Sequence, residues 1–166
     1  MPSRHELAKK LGGAYEALLA NALHRAQHGG GVLHHIIDEV RDDISALSTF
    51  SKDEAALLKA YINRDLADAA TYLTSTGNEL KDWLGFDLAQ IESGLWNTFS
   101  AAVDKTALEL LQIKQQALSN SYLTGEMAGM GTLLCDQCGT PVHFPEPGYI
   151  SPCPQCQNTQ FHRPGF

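Results

Sequence analysis

Four cysteines, Cys135, Cys138, Cys153 and Cys156, are the only cysteines in the chain, and they fall into two CxxC pairs with fourteen residues between them. No other feature restricts the fold as tightly. Two residues between cysteines let one tight turn aim both sulfurs at a single ion, and two such turns brought together by a hairpin make a zinc ribbon. Backbone N–H groups just past each first cysteine can donate to the thiolates and offset their charge. Gly139 follows the first pair and suits a turn that needs positive φ, whereas Gln157 fills the same place after the second, so the second turn is expected to be less regular. Pro154 fixes φ inside it. Between the pairs lie strand-like Val142-His143-Phe144, a Pro145-Glu146-Pro147-Gly148 turn, and Tyr149-Ile150-Ser151, with a further strand expected over Thr159 to Arg163.

Two disulfides are the competing chemistry, but no secretory leader is visible, and a reduced, cytoplasmic protein is expected. Iron–sulfur ligation and a redox dithiol use the same residues and stay open. A catalytic zinc needs an open coordination position, and four thiolates close the sphere, so the expected cofactor is one structural Zn2+. His143 and His162 are near enough in sequence to substitute as ligands; with four cysteines present they are expected beside the site or at the surface.

The 166 residues allow one domain of ordinary size, or a helical body with a small appendix. No apolar run approaches membrane-spanning length. Net charge is −7, of which the segment from Gly125 carries −2 and the helical part −5, and Arg163 is the one Lys or Arg after Gly125. Ribbons that grip nucleic acid do so with cations facing phosphates, and this one lacks that footprint.

Upstream, the pattern is helical. Ser3-Arg4-His5-Glu6 reads as a capping box opening a helix over 4–28, which Gly29-Gly30-Gly31 ends. Leu33, Ile37, Val40, Ile44 and Leu47 form a heptad stripe for a second helix over 32–48. Ser51 and Glu54 make another box, opening a third helix over 52–84 in which Ile62, Leu66, Ala69, Leu73, Thr76, Leu80 and Trp83 keep the seven-residue rhythm, with a weak spot at Thr74 to Gly77 and a stop at Gly85. Asp87 with Gln90 caps a fourth over 88–119. The fold class expected is mainly α: an antiparallel, coiled-coil-like bundle around a long hairpin of about 45–50 Å. A helical domain over 1–124 and a zinc ribbon over 125–166 follow, with Asn120 to Gly131 as the connection.

His24, His28, His34 and His35 cluster around the glycine turn at metal-compatible spacings, but a polar hairpin tip explains them without a ligand role. Trp83 and Trp96 are read as core packing rather than a ligand cage. No phosphate-binding glycine loop, no GxSxG and no isolated nucleophilic cysteine is present, so no catalytic residue is assigned and a non-enzyme is expected.

Leu95-Trp96, Asp104-Lys105-Thr106, Leu108-Glu109, and then Gly125-Glu126, Gly129, Gly131 and Leu133 lead into the first CxxC, with Phe161 and Arg163 closing the chain. Arg64-Asp65-Leu66, Gly77-Asn78-Glu79-Leu80 and Asp82-Trp83-Leu84 fit the same pattern. Together these motifs resemble the bacterial YbeL-like family, strongly from Ser51 onward and weakly before it. The resemblance implies a zinc-binding protein with a helical N-terminal region and transfers no catalytic residue. The function expected is that of a non-enzymatic interaction or adaptor protein, a monomer or homodimer, with an unidentified protein partner and no membrane. The alternative is binding of nucleic acid, or of the transcription or translation machinery, through the ribbon. A ribbon of about forty residues is near the size that needs a metal to fold. Zinc can supply roughly 10–16 kcal/mol of apparent binding free energy. The helices, with their own apolar stripes, are expected to stay folded without it.

Overall fold

In a computed structural model, which describes residues 4–39, 50–109 and 121–164, the helices come first and the strands follow. Helix α1 (Arg4–Gly29) closely matches the expected span. Helix α2 (Leu33–Glu39) begins where Glu109, 76 residues further along the chain, accepts the Leu33 N–H at 2.9 Å. The remainder of the second expected helix, beyond residue 39, lies outside the described residues, as do residues 110–119 of the fourth.

Helix α3 (Lys52–Thr76) opens with both halves of the expected capping box: the Ser51 hydroxyl accepts from Glu54 N–H, and the Glu54 carboxylate accepts from Ser51 N–H. It does not run to residue 84. Thr71, Thr74, Ser75 and Thr76 turn their hydroxyls back onto carbonyls of the preceding turn. These bonds compete with the helix. Gly77 then enters the left-handed region at φ 72° and donates to the Leu73 carbonyl, closing the helix. The chain turns into the short helix α4 (Leu80–Leu84). α3 is therefore about 37 Å long rather than 45–50 Å.

Asp87 does cap, accepting from Ala89 N–H, but what it caps is a single 3-10 turn at Leu88–Gln90. Helix α5 (Ser93–Glu109) starts later, where the Glu92 carboxylate accepts from Gly94 and Leu95 N–H at 2.9 and 2.7 Å. Those two donors hold the Glu92 carboxyl below the usual carboxylate range.

α3 is the central helix, packed against α1, α2 and α5. The core between them holds Tyr15, Leu18, Leu19, Ile62, Leu66, Ala69, Trp83, Phe99 and Val103. Trp83 is 1 % exposed and stacks on Phe99 with ring centroids 5.8 Å apart, while Trp96 is partly buried against the same core. Both indoles are packing residues.

The strands are β1 (Tyr122–Leu123), β2 (Met127–Ala128), β3 (Gly131–Cys135), β4 (Pro141–Phe144), β5 (Gly148–Tyr149) and β6 (Gln160–His162). One antiparallel sheet has the order β1-β6-β3-β4, and β2 pairs with β5 in a second. Within 121–131, the stretch read as a connection, β1 and β2 are already sheet strands, and β1 is paired with β6 through Tyr122 opposite Phe161. The sheets enclose a small core of Tyr122, Ala128, Leu133, Cys135, Phe144, Ile150, Cys153 and Phe161. Met127 and Met130, by contrast, lie in the helical core, so the segment between β1 and β3 belongs partly to each.

Candidate metal centre

β3 ends at Cys135, and the chain reverses through Asp136-Gln137-Cys138 into Gly139. Gly139 N–H donates to the Cys135 carbonyl at 2.9 Å with Gly139 at φ 74°. The second turn repeats this geometry: Gln157 N–H donates to the Cys153 carbonyl at 2.9 Å with Gln157 at φ 65°. The expectation of a less regular second turn is thus corrected. Gln157 takes the left-handed conformation that glycine takes in the first turn, a conformation costing an L residue roughly 1–2 kcal/mol. Each turn is also closed across its mouth, Cys135 N–H donating to Thr140 O and Cys153 N–H to Asn158 O.

The two turns bring all four sulfurs within 4.8 Å of one another. The nearest pairs are Cys135 with Cys156 at 3.5 Å and Cys138 with Cys153 at 3.6 Å. Those distances exceed an S–S bond of about 2.05 Å, and all four cysteines are free. They resemble instead the edge of a tetrahedron, about 3.8 Å when each sulfur sits about 2.3 Å from a central ion.

Electrostatics points the same way. Burial pushes the Cys135 thiol up, but the N–H groups of Cys138 and Gln137, with the Asn158 amide, outweigh it and bring it down to about 6. At Cys138 the Thr140 hydroxyl and N–H lower the thiol further than burial raises it. Asn158 N–H pulls on Cys156 as well, yet burial and the three neighbouring sulfurs push that thiol up to about 12. Thiols this close cannot all shed their protons unless a cation takes the protons' place. The donor set therefore fits a soft divalent ion held by four thiolates.

Two residues of this centre carried no signal in the sequence. Thr140 and Asn158 each stand two places after the second cysteine of a pair, Thr140 Oγ1 lying 3.0 Å from Cys138 Sγ and Asn158 Nδ2 reaching Cys135 Sγ at 3.6 Å. Asn158 also donates to the Gln160 carbonyl at 3.0 Å, tying the second turn to β6. A lone Thr or Asn in a loop has many other uses, and only the folded turns set these two side chains against sulfurs.

Neither nearby histidine joins the four sulfurs. His143 Nδ1 lies 2.9 Å from Thr132 Oγ1, and its ring leans on Phe86; His162 Nδ1 lies 2.5 Å from Asp136 Oδ1. At the glycine turn, the His24 and His28 rings lie 4.1 Å apart, tilted by 33°, and His28 Nδ1 approaches the His24 carbonyl at 2.9 Å. Among the described residues, the four cysteines are the group of metal-ligating side chains close enough to share an ion; the His34 side chain lies outside that description.

A second constellation, invisible in the sequence, joins the ribbon to the helices. Asp65 of α3, fully buried, accepts from Tyr15 Oη at 2.8 Å, from Gly129 N–H at 2.7 Å and from Arg163 Nη2 at 3.0 Å. Arg163 lies over the Trp83 and Tyr122 rings, and burial, which would lower its pKa, is outweighed by Tyr122 and Asp65, so it is held more firmly protonated than usual. The Arg64 guanidinium also lies over the Tyr122 ring, at 3.9 Å from its centroid, and donates to Glu126 and to the Met127 carbonyl. The Tyr122 hydroxyl donates to Asp68, and the Thr132 hydroxyl to the Leu84 carbonyl. Burial raises the Tyr15 and Tyr122 phenols well above their ordinary range, and burial likewise raises the Asp68 carboxyl. Gly129 and Gly131 are the clearance for this layer. A Cβ on Gly129 would collide with Tyr15 Oη, and one on Gly131, at φ 125°, would meet Arg163 Nη1 at 2.6 Å.

Residues 21–164 match the family described as "Zinc-ribbon containing domain". The chain is also 26 % identical over 155 residues to "Uncharacterized protein YbeL" of Escherichia coli strain K12, covering 92 % of this chain and 94 % of the relative, and it matches the same protein of strain O157:H7 to the same extent. No solved structure matches.

Proposed function

The chain belongs to this zinc-ribbon family, and from that premise we propose that it is a non-enzymatic interaction protein whose Cys135, Cys138, Cys153 and Cys156 hold one structural zinc ion. The observation that carries the reading is the convergence of four sulfurs on two matched turns, with N–H, hydroxyl and amide donors on the sulfurs themselves. When bound, the ion supplies a rigid crosslink between the turns, and four thiolates leave it no open position for a reacting water. Asn158 and Thr140 orient and partly neutralise the sulfurs; Gly139 and Gln157 set the turns.

The adaptor role is supported by what the two parts offer a partner: a helical bundle with long exposed faces and a compact knuckle whose Cys138 is exposed. We place the protein in a reducing, cytoplasmic setting, where the thiols stay available, as a monomer or homodimer. Among the described residues no helix is long and apolar enough to cross a membrane. Recognition of nucleic acid by the ribbon is the weaker reading, since Arg163, its one Lys or Arg, is buried against Asp65 and faces no phosphate.

The test has three arms. Native mass spectrometry of the purified chain is expected to give one zinc per chain, lost when Cys135 and Cys153 are replaced by serine. A pulldown from bacterial lysate is expected to return a stoichiometric protein partner. Titration with RNA and DNA at low salt is expected to show no binding with a log-salt slope. A metal-free native chain, or robust turnover of a screened substrate without any partner, would reverse the proposal.

A further inference from the structure

The ribbon is not an appendage that merely rests on the bundle. Asp65 is 0 % exposed on its side chain, and of the three groups that donate to it, only Tyr15 belongs to a helix; Gly129 and Arg163 belong to the ribbon. Arg163 is held in place by β6, a strand of three residues. The anchors of β6 on the metal side are Asn158, which bonds both Cys135 Sγ and Gln160 O, the Asp136 N–H bond to Gln160 O, and the register that sets Phe161 opposite Cys135. Strands this short are marginal on their own. A continuous line of contacts therefore runs from the sulfurs through β6 to Arg163 and into the centre of α3.

We propose that this line makes the helical bundle metal-responsive: the four-thiol site, when filled, fixes β6, and β6 presents Arg163 to the buried carboxylate of Asp65. Emptying the site releases Arg163 and Gly129 together and leaves Asp65 in the helical core with Tyr15 as its one remaining hydrogen-bond donor and Arg64 as the nearest cation. A buried carboxylate stripped of its cation is strongly unfavourable, so α3 and its contact with α1 loosen in response. Coupling of this kind is reciprocal: whatever metal binding does for the bundle, the Asp65–Arg163 pair does for metal affinity, by the same factor. The inference rests on the metal reading given above and extends it from a local crosslink to a signal carried into the helical core.

The experiment uses the full chain loaded with Co2+, whose thiolate charge-transfer and d–d absorption report the site independently of the helices. Hydrogen exchange of α3 amides around Asp65 to Ala70 is followed as a chelator removes the ion. Faster exchange in α3, at least tenfold and in step with loss of the cobalt spectrum, is the expected result. Arg163→Met is expected to weaken Co2+ affinity at least tenfold, and Arg163→Lys to recover part of it. Combining Arg163→Met with Asp65→Leu, which removes both charges, is expected to leave α3 protected whether the ion is present or not. If the cobalt spectrum forms and vanishes while α3 exchange in the native chain stays unchanged, the coupling is overturned and the metal reading stands. If no thiolate spectrum forms at all, both fall.

Discussion

The bundle and the ribbon solve the same problem with different means. In the bundle, α1, α3 and α5 bury whole faces of Leu, Ile, Ala and aromatic side chains against one another. In its own apolar cluster the ribbon holds eight buried residues, and two of them are cysteines. Its strands are two to five residues long. A core of that size cannot offset the conformational entropy of some forty ordered residues. The ribbon therefore borrows twice: order from a crosslinking ion at one end, and apolar cover from the bundle at the other, where Met127 of β2 and Met130 are buried in the helical core. The bundle is not independent in return, because it has buried a carboxylate whose cation sits in the ribbon. The contrast teaches that the part with the larger core still depends on the part with the smaller one.

The largest expected effect is at the sulfurs. Cys135→Ser removes a ligand from an ion whose binding is worth roughly 10–16 kcal/mol, and the ribbon amides are expected to lose their dispersion in an NMR spectrum. Dispersed ribbon resonances in the variant would show that the sheet's own core suffices and would erase the contrast. Next comes the buried pair. Asp65→Ala leaves Arg163 without its carboxylate, and chemical denaturation followed at the helical signal is expected to register a loss of about 3–5 kcal/mol. A loss under 1 kcal/mol would make the bundle self-sufficient. Gly131→Ala puts a methyl against Arg163 and Trp83 at a backbone angle that L residues avoid, and roughly 1–3 kcal/mol is expected to go, with Trp83 fluorescence altered. An unchanged emission spectrum and midpoint would mean that the layer has slack. The smallest effect is a gain. Gln157→Gly relieves the left-handed strain of the second turn, and about 1 kcal/mol of added stability is expected in the metal-loaded chain. A loss instead would show that the Gln157 side chain contributes more than its backbone costs.

How much of this was legible beforehand follows from the range over which each signal acts. Capping boxes and CxxC turns are local, so the start of α3 at Ser51, the extent of α1 and the meeting of four sulfurs were readable from residues a few places apart. The end of α3 was half readable: Thr74 to Gly77 marked a weak spot, but a heptad stripe continuing through Leu80 and Trp83 argued for an unbroken helix. The structure keeps both residues in the core by way of a turn and a new helix. Asp87 drew attention as a cap, whereas Glu92, a residue type with weaker capping preference, opens α5. Two-residue strands such as β1 and β2 have no periodicity to detect. The Asp65–Arg163 pair left no local trace at all. Its only sequence mark was that Arg64-Asp65, Gly129, Gly131 and Arg163 all stood among the motifs of the family resemblance, for reasons that only the packed structure supplies.

That pair also imposes an order of events on synthesis. Asp65 and Arg163 are 98 residues apart. At a translation rate of about 5–20 residues per second, the carboxylate leaves the ribosome roughly 5–20 s ahead of its cation. α1 and α3 can meet in that interval through Tyr15, but the centre of their interface must wait. Until the last strand arrives, Asp65 lacks the cation that donates to it, so completion of the buried centre of the helical half waits on the translation of the other half.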